Sequence, residues 1–438
     1  MTTVHVVGGG LAGSEAAWQL ARQGLDVVLH EMRPTRPTPA HKGDGLAELV
    51  CSNSLGSDTT GSAPALLKAE MRHLGSVILD AAAEARVPAG AALAVDRDVF
   101  SVAVTRRLAS LPNLRLSRDE VVCLDGPVVV ASGPLTSPDL AAHLQAQLGV
   151  DQLHFFDAAA PVVTRESLDM DRLFVASRWD KGEAAYLNAP MNREEYAAFH
   201  AALVEAENTV LHLEEEKDVA FFEGCLPVEV LARRGVDTLR YGPMKPVGLT
   251  DPRTGRWPYA CVQLRQDTVT GDMFNLVGFQ TQLKWGDQKR VFSMIPGLAE
   301  AEFVRLGVMH RNTYLASPAF LEPTMLRRGR ADQAFAGTLI GVEGYTEAAA
   351  TGLLAGINLG RALRGHAPLV LPTTTMLGAL ARYVASADPA NFQPMNANWG
   401  LVDPWPERMR DKSERRRRQG ERALSDLSAI VDPITARA

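Results

Sequence analysis

The chain is short of several things, and each shortage excludes a class of protein. Only four cysteines occur in 438 residues. Cys51, Cys123, Cys225 and Cys261 are scattered, with no disulfide framework and no CxxC metal pair, so reduced thiols in a cytoplasmic setting are expected and no metal site is. No apolar run approaches the ~18 residues that a membrane span requires. The start, "MTTVHVVGGG", has no basic segment followed by a long apolar stretch, so a secretory signal is not expected. Internal repeats and long low-complexity tracts are absent.

What is present is ordinary in bulk: 46% apolar and 22% charged residues. This composition suits a soluble chain of two or three domains with sizeable cores. The net charge of −6 is unevenly spread. Between Arg408 and Arg422 eight Lys/Arg face three Asp/Glu, a local net of +5, which leaves −11 for the rest. A basic patch on an acidic body can meet a polyanion locally.

Residues 2–34 read as a compact βαβ unit. Val4, Val6 and Val7 form a short buried strand running into Gly8-Gly9-Gly10-Leu11-Ala12-Gly13. Leu11, Ala12, Ala16, Ala17, Leu20 and Ala21 recur at helical spacing, Gly24 ends the helix, and Val27–Leu29 is the next strand. Glu31 closes that strand, 18 residues after Gly13. Each part suits a dinucleotide. Gly8 permits a tight turn, Gly10 lets the backbone approach a pyrophosphate, and Gly13 allows close packing of helix on strand. The helix start attracts phosphate, and an acid at the second strand accepts from ribose hydroxyls.

Two later segments decide between cofactors. "GPVVVASGPL" reads as a strand ending in a small-residue turn at Ala131, Ser132 and Gly133. "FAGTLIGVEGYTEAAATGLLAGINLGRAL" repeats the logic near the other end, with a strand from Phe335 to Ile340, a turn over Gly341, Glu343 and Gly344, and a helix from about Tyr345. A second helix start delivered by the far end of the chain suits an extended cofactor, so FAD is expected rather than a nicotinamide nucleotide. The fold class expected is α/β: a Rossmann-type FAD-binding domain built from both chain ends, 1–180 and 315–438, with a smaller α+β domain, 181–314, inserted. Within the insertion, "NREEYAAFHAALVEAE" reads as a helix, and the runs around Thr270-Gly271-Asp272 as a hairpin. The basic segment belongs to a last helix.

The thiols divide by context. Cys51, in "AELVCSNSLGSD", stands where an apolar run meets a polar turn, about twenty residues beyond the nucleotide unit. Cys225, in "FFEGCLPVE", sits on a backbone bend. Both surroundings allow the partial exposure that a reactive thiol needs. Cys123 and Cys261 lie in apolar strand patterns, where core packing is the better reading.

At these residues the chain resembles a known family. "VVGGGLAGSEAAWQLARQGLDVVLHEMRP", "TPAHKGDGLAELVCSNSLGSD", "FEGCLPVE", "RYGPMKPVGL", "LVGFQTQLKWGDQKRVF" and "GVEGYTEAAATGLLAGIN" together look like TrmFO, the folate- and FAD-dependent tRNA (uracil-5-)-methyltransferases. The first and last are shared with the larger GidA flavoproteins. The resemblance implies that 5,10-methylenetetrahydrofolate supplies a one-carbon unit, reduced FAD carries it to C5 of a T-loop uridine in tRNA, and NAD(P)H supplies electrons. It implies two functional thiols: Cys225 as the nucleophile at uracil C6 and Cys51 as the second, with their division of labour open. No membrane and no obligatory protein partner are expected.

Other assignments stay open. Arg415, Arg416, Arg417 and Arg418 suit a tRNA backbone, or a solvated helix face. Arg233, Arg234, Lys245, Arg253 and Arg256 form a second candidate surface. Trp285 suits a stacked pterin, with Lys284, Lys289 and Arg290 near for a glutamate tail, or a core position. His41 suits substrate polarisation, or solvent. Competing functions are GidA-like wobble-uridine modification, a small-molecule FAD oxidoreductase, and an RNA-binding protein with structural flavin.

Overall fold

Strand Val4–Val7 pairs in parallel with Val27–His30 on one side and with Val128–Val130 on the other. Its side chains are nearly all buried, as a strand covered on both faces requires. This computed structural model describes residues 3–150, 152–158, 160–180, 183–208, 226–307, 309–389, 392–407 and 409–435. The full sheet runs Leu114–Ser117, Val27–His30, Val4–Val7, Val128–Val130, Arg330–Phe335 and Leu326–Arg327, with the last strand antiparallel. The order of its five parallel strands reverses between the first strand and Val128–Val130, the point where a doubly wound sheet opens a ligand crevice.

Helices close both sides of that point. Leu11–Arg22 is buried almost all round, and Tyr345–Leu363, from the far end of the chain, lies against it. Small residues permit the approach. A Cβ on Gly352 would stand 2.1 Å from the Ala12 carbonyl oxygen, and one on Gly356 2.6 Å from that of Ala16. The strand expected over Phe335–Ile340 instead spans Arg330–Phe335. Gly337, at φ +80°, turns the chain, and Thr338–Ile340 is a short 3₁₀ turn.

A second sheet is wholly antiparallel, in the order Phe174–Val175, Tyr186–Met191, Ala260–Gln266, Met273–Leu276, Val162–Thr164, Phe303–Arg305. The hairpin about Gly271 is its centre. Helix Arg193–Glu205 begins at a capping box of Asn192 and Glu195 and sends Tyr196, Phe199 and Leu203 into a separate hydrophobic core with Phe279 and Phe292. Each such side chain contributes about 1.5–3 kcal/mol on burial. Strands Val162–Thr164 and Phe174–Val175 belong to this sheet although they precede the boundary expected at 180/181. The crossing between the two cores is a ribbon in which Gln152–Ala158 pairs antiparallel with Met309–Leu315. Nothing in either strand's local pattern announces that pairing.

Cys261 is buried in its strand, where burial raises its thiol to about 12. Cys123 departs from expectation: it is exposed and outside any strand, because the strand begins only at Val128. Among the described residues no helix is long and apolar enough to cross a membrane.

Candidate active site

A cavity of about 530 Å³ opens at the switch point. Its walls come from the Gly8–Ala12 loop, His30–Arg33, Cys51–Ser52, Ser132–Gly133 and the Glu343–Ala348 helix start. It therefore brings together most of the residues singled out in the sequence, including Leu11, Glu31, His41, Glu343, Gly344 and Tyr345. Gly13 and Gly341 support it from behind. A Cβ on Gly13 would meet the Gly8 carbonyl oxygen at 1.8 Å, and one on Gly341 the Phe392 ring at 2.4 Å.

The glycines at the front have distinct reasons. Gly8 has φ +105°, and a side chain there would strike the Ala131 carbonyl. Gly10 meets nothing within 4 Å, so its missing side chain leaves space at the helix start. Two of the helices that end at the cavity begin at glycine, Gly10 and Gly344, with no side-chain cap. By contrast, Ser76, Asp96 and Thr375 each cap a helix elsewhere, and Ser137 caps a third helix start on the cavity wall. Two helix starts with their N–H groups and positive dipole ends turned on one cavity form a cradle for an anionic, elongated ligand. One more group lacks a partner: His30 Nδ1 is buried and unbonded, while its Nε2 lies 2.9 Å from Nδ1 of His5. Burial, and then the neighbouring His5, lower the His30 pKa. The cradle and this orphaned nitrogen fit a dinucleotide.

Glu31 is more engaged than its sequence role suggested. It accepts from the Gly9 N–H at 3.1 Å and from the Arg33 N–H and guanidinium at 3.0–3.2 Å. Burial opposes its charge, but Arg33 outweighs burial and holds the carboxyl below its usual range. Arg33 also binds Glu48 and the carbonyls of Gly43 and Gly45, which ties the Pro-rich loop to the nucleotide strand. No short motif marks Arg33 and Glu48, 15 residues apart, as partners.

Cys51 is half-buried at the cavity wall. The chain around it is held residue by residue. Arg97 donates to the Leu49 carbonyl at 3.3 Å, and the Tyr345 hydroxyl accepts from the N–H groups of Cys51 at 2.8 Å and Ser52 at 3.2 Å. Asn53 accepts from Arg265 at 2.9 Å and donates to the Gln266 carbonyl, both on the antiparallel sheet. Burial drives the Tyr345 pKa far up, so it stays a neutral phenol. Ser132 bonds Thr136 beside the left-handed Gly133. His41 Nδ1 lies 2.7 Å from the Thr38 hydroxyl.

Other expectations lie elsewhere. Cys225 is outside the described residues. The chain resumes at Leu226, and the Val228 N–H donates to the carbonyl of Gln280, which lines the cavity. Trp285 does not line it; it is 65% exposed at the start of helix Trp285–Phe292. Lys284 pairs with Glu207, and Arg290 grips Asp287 at 2.7 Å. Arg415, Arg416, Arg417 and Arg418 sit on helix Lys412–Thr435, away from the cavity walls. Arg417 binds Glu414 and Glu421, and Arg418 binds Glu414 at 2.9 Å, so the run is partly neutralised.

This frame and cradle define a Rossmann-type dinucleotide-binding protein, and its family match places it among the FAD-binding flavoproteins of the GidA class. A family model described as glucose inhibited division protein A matches residues 3–367. The solved Aquifex aeolicus GidA superposes with a TM-score of 0.68 over 97% of this chain and 73% of its own, at 16% identity. Within that class the chain belongs to the TrmFO family. The methylenetetrahydrofolate–tRNA-(uracil-5-)-methyltransferase TrmFO of Lactiplantibacillus plantarum is 54% identical over 98% of this chain and 97% of its own length. That of Bacillus subtilis is 53% identical over 99% of both.

Proposed function

We propose that the protein methylates C5 of the T-loop uridine in tRNA, using 5,10-methylenetetrahydrofolate as carbon donor, FAD as resident cofactor and NAD(P)H as reductant. The observation that carries this reading is the joining of Cys51, the glycine loop and the Tyr345 helix start in one cavity. The full-length match to TrmFO relatives supports the substrates. Identity of 53–54% to TrmFO relatives along their whole length favours this reading over wobble-uridine modification.

The residues present divide the work. Gly8–Gly13 and the Gly344 helix start would hold the FAD, with Glu31, fixed by Arg33, as an acceptor for its ribose hydroxyls. FAD, when bound, would supply the redox chemistry. Uracil C5 is a poor nucleophile until a thiolate adds at C6, the role proposed for Cys225. Cys51 is the second thiol. The Tyr345 hydroxyl fixes its backbone. A stacked loop base must be flipped out to reach such a site. His41, at the cavity rim, is proposed to meet substrate. Arg415 and Arg416 are proposed to meet tRNA phosphates, with Arg417 and Arg418 joining once released from Glu414. Trp285 is proposed as an outer contact for folate, its exposed ring free to stack. The two separate cores support a discontinuous FAD-binding domain with an inserted α+β domain, and a cytoplasmic setting follows from a tRNA substrate.

The test is anaerobic. Purified protein is incubated with an unmodified tRNA transcript, NADH or NADPH and methylenetetrahydrofolate, then the RNA is digested and searched for 5-methyluridine by mass. A transcript with cytidine at the T-loop position should gain nothing. Reducible bound FAD without mass gain on either RNA would overturn the reading.

A further inference from the structure

The inserted domain carries a surface that the cavity does not use. We propose that Trp179 and Trp257 form a platform on which an unpaired RNA base stacks, bordered by Arg178, Lys245 and Arg256. The inference rests on RNA being the substrate.

Three observations converge. Trp179 is 55% exposed and Trp257 50% exposed, although burying an indole is strongly favourable. The two rings meet edge to face, with centroids 5.6 Å apart and planes at 89°. One side of Trp179 is seated: Cε2, Cδ2 and Nε1 lie 2.7–2.8 Å from where a Cβ on Gly248 would stand, so the indole rests on a glycine while over half of the residue stays exposed. Gly248, at φ +83°, could not readily be another residue.

Second, the backbone that presents the ring is strained. Trp179 and Asp180 are consecutive non-glycine residues at φ +61° and +51°. A bulky residue in the left-handed region is unusual and concentrates at sites where geometry serves function. The Trp179 N–H bond to the Gly248 carbonyl, at 2.8 Å, holds the conformation.

Third, the surround is cationic. Over residues 177–180 and 245–257 the cations are Arg178, Lys245, Arg253 and Arg256, against Asp180 and Asp251. Arg253 is spent on Asp251 at 3.0 Å. Arg178 is anchored on the Val247 carbonyl and on Gln263 at 3.0 Å. Lys245 and Arg256 are exposed and carry no ion pair among the described residues. Exposed aromatics interleaved with cations are what single-stranded nucleic acid selects, because every base has a face to stack and every nucleotide a phosphate.

Binding of the unmodified tRNA transcript to the FAD-loaded protein tests this, by anisotropy across a salt series. Trp179→Ala and Trp257→Ala should each weaken affinity about five- to hundred-fold, the span seen for loss of one stacked base. Trp179→Phe should restore most of it. FAD content and melting temperature, measured alongside, should match wild type. Arg256→Ala should lower the slope of log affinity against log salt by about one, whereas the tryptophan variants should leave it unchanged. Wild-type affinity in both tryptophan variants would overturn the platform and hand this face to a protein partner. If the wild-type protein binds no transcript at all, the functional reading fails first.

Discussion

The crossing of helices Leu11–Arg22 and Tyr345–Leu363 makes one substitution give opposite results at two places. Gly→Ala inside a helix gains about 1 kcal/mol of propensity, because alanine loses less backbone freedom on folding. At Gly420, in helix Lys412–Thr435, the nearest neighbour of an added methyl is Leu66 Cδ1 at 4.0 Å, an ordinary contact. Gly420→Ala should therefore stabilise by roughly 0.5–1 kcal/mol. At Gly352 the same methyl would stand 2.1 Å from the Ala12 carbonyl oxygen and 2.7 Å from its Cα. Those atoms are backbone, so the helices must separate by about an ångström, which forfeits contacts along the whole crossing. Overpacking of this kind costs about 1–3 kcal/mol or more, which outweighs the propensity gain. Ala12 opens the nucleotide helix, so the displacement also spoils the cradle. Thermal melting with FAD absorbance measures both effects. Gly420→Ala should melt higher with full flavin, and Gly352→Ala lower with flavin depleted. Equal behaviour of the two variants would refute the claim that backbone clash, rather than propensity, governs this crossing.

Removing the Tyr345 hydroxyl as Tyr345→Phe strips the acceptor from two N–H groups and frees the Cys51 segment; methyl transfer to tRNA should fall about 10- to 100-fold with flavin retained, by single-turnover assay. Replacing Arg33 by Lys keeps the charge but not the fork that spans Glu31 and Glu48, so FAD affinity should drop about ten-fold in a flavin titration. Stability should fall as pH rises through neutrality because of two buried carboxyls. Burial raises Glu15 to about 7 and Glu70 to about 8, where they cap helices Val77–Glu84 and Met376–Ser386. Unfolded, each ionises near its ordinary 4.5, so the contribution is full below that pH and is lost towards 7 and 8. Glu70→Gln should flatten the melting-temperature profile between pH 5 and 9; an unchanged profile would contradict this.

The nucleotide unit was legible because its parts are local: strand, glycine turn, helix and acid follow one another within 31 residues. The far helix was legible for the same reason, as Gly341–Tyr345 repeats the turn chemistry. Cys51 stood out through its neighbours. What stayed hidden depends on partners distant in the chain. Asn53 meets Arg265, and Trp179 meets Gly248, with no periodicity linking them. Arg33 bridges Glu31 and Glu48, and no local pattern marks that pairing. Cys123 misled because "VVC" reads as strand, yet the sheet takes only Val128–Val130 there.

The Gln152–Ala158/Met309–Leu315 ribbon has a bearing on how the chain is made. Its pairing brings the exit from the insertion back beside the entrance, so the host domain is interrupted in time but hardly in space. During synthesis the ribosome must deliver the whole insertion before Arg330–Phe335 and the Glu343–Ala348 wall of the cavity emerge. The nucleotide loop is thus made well before the wall that completes its cavity. A nascent chain stopped before residue 340 would carry a finished inserted core and half a flavin site. Cofactor capture is in this sense a report that the insertion has been made.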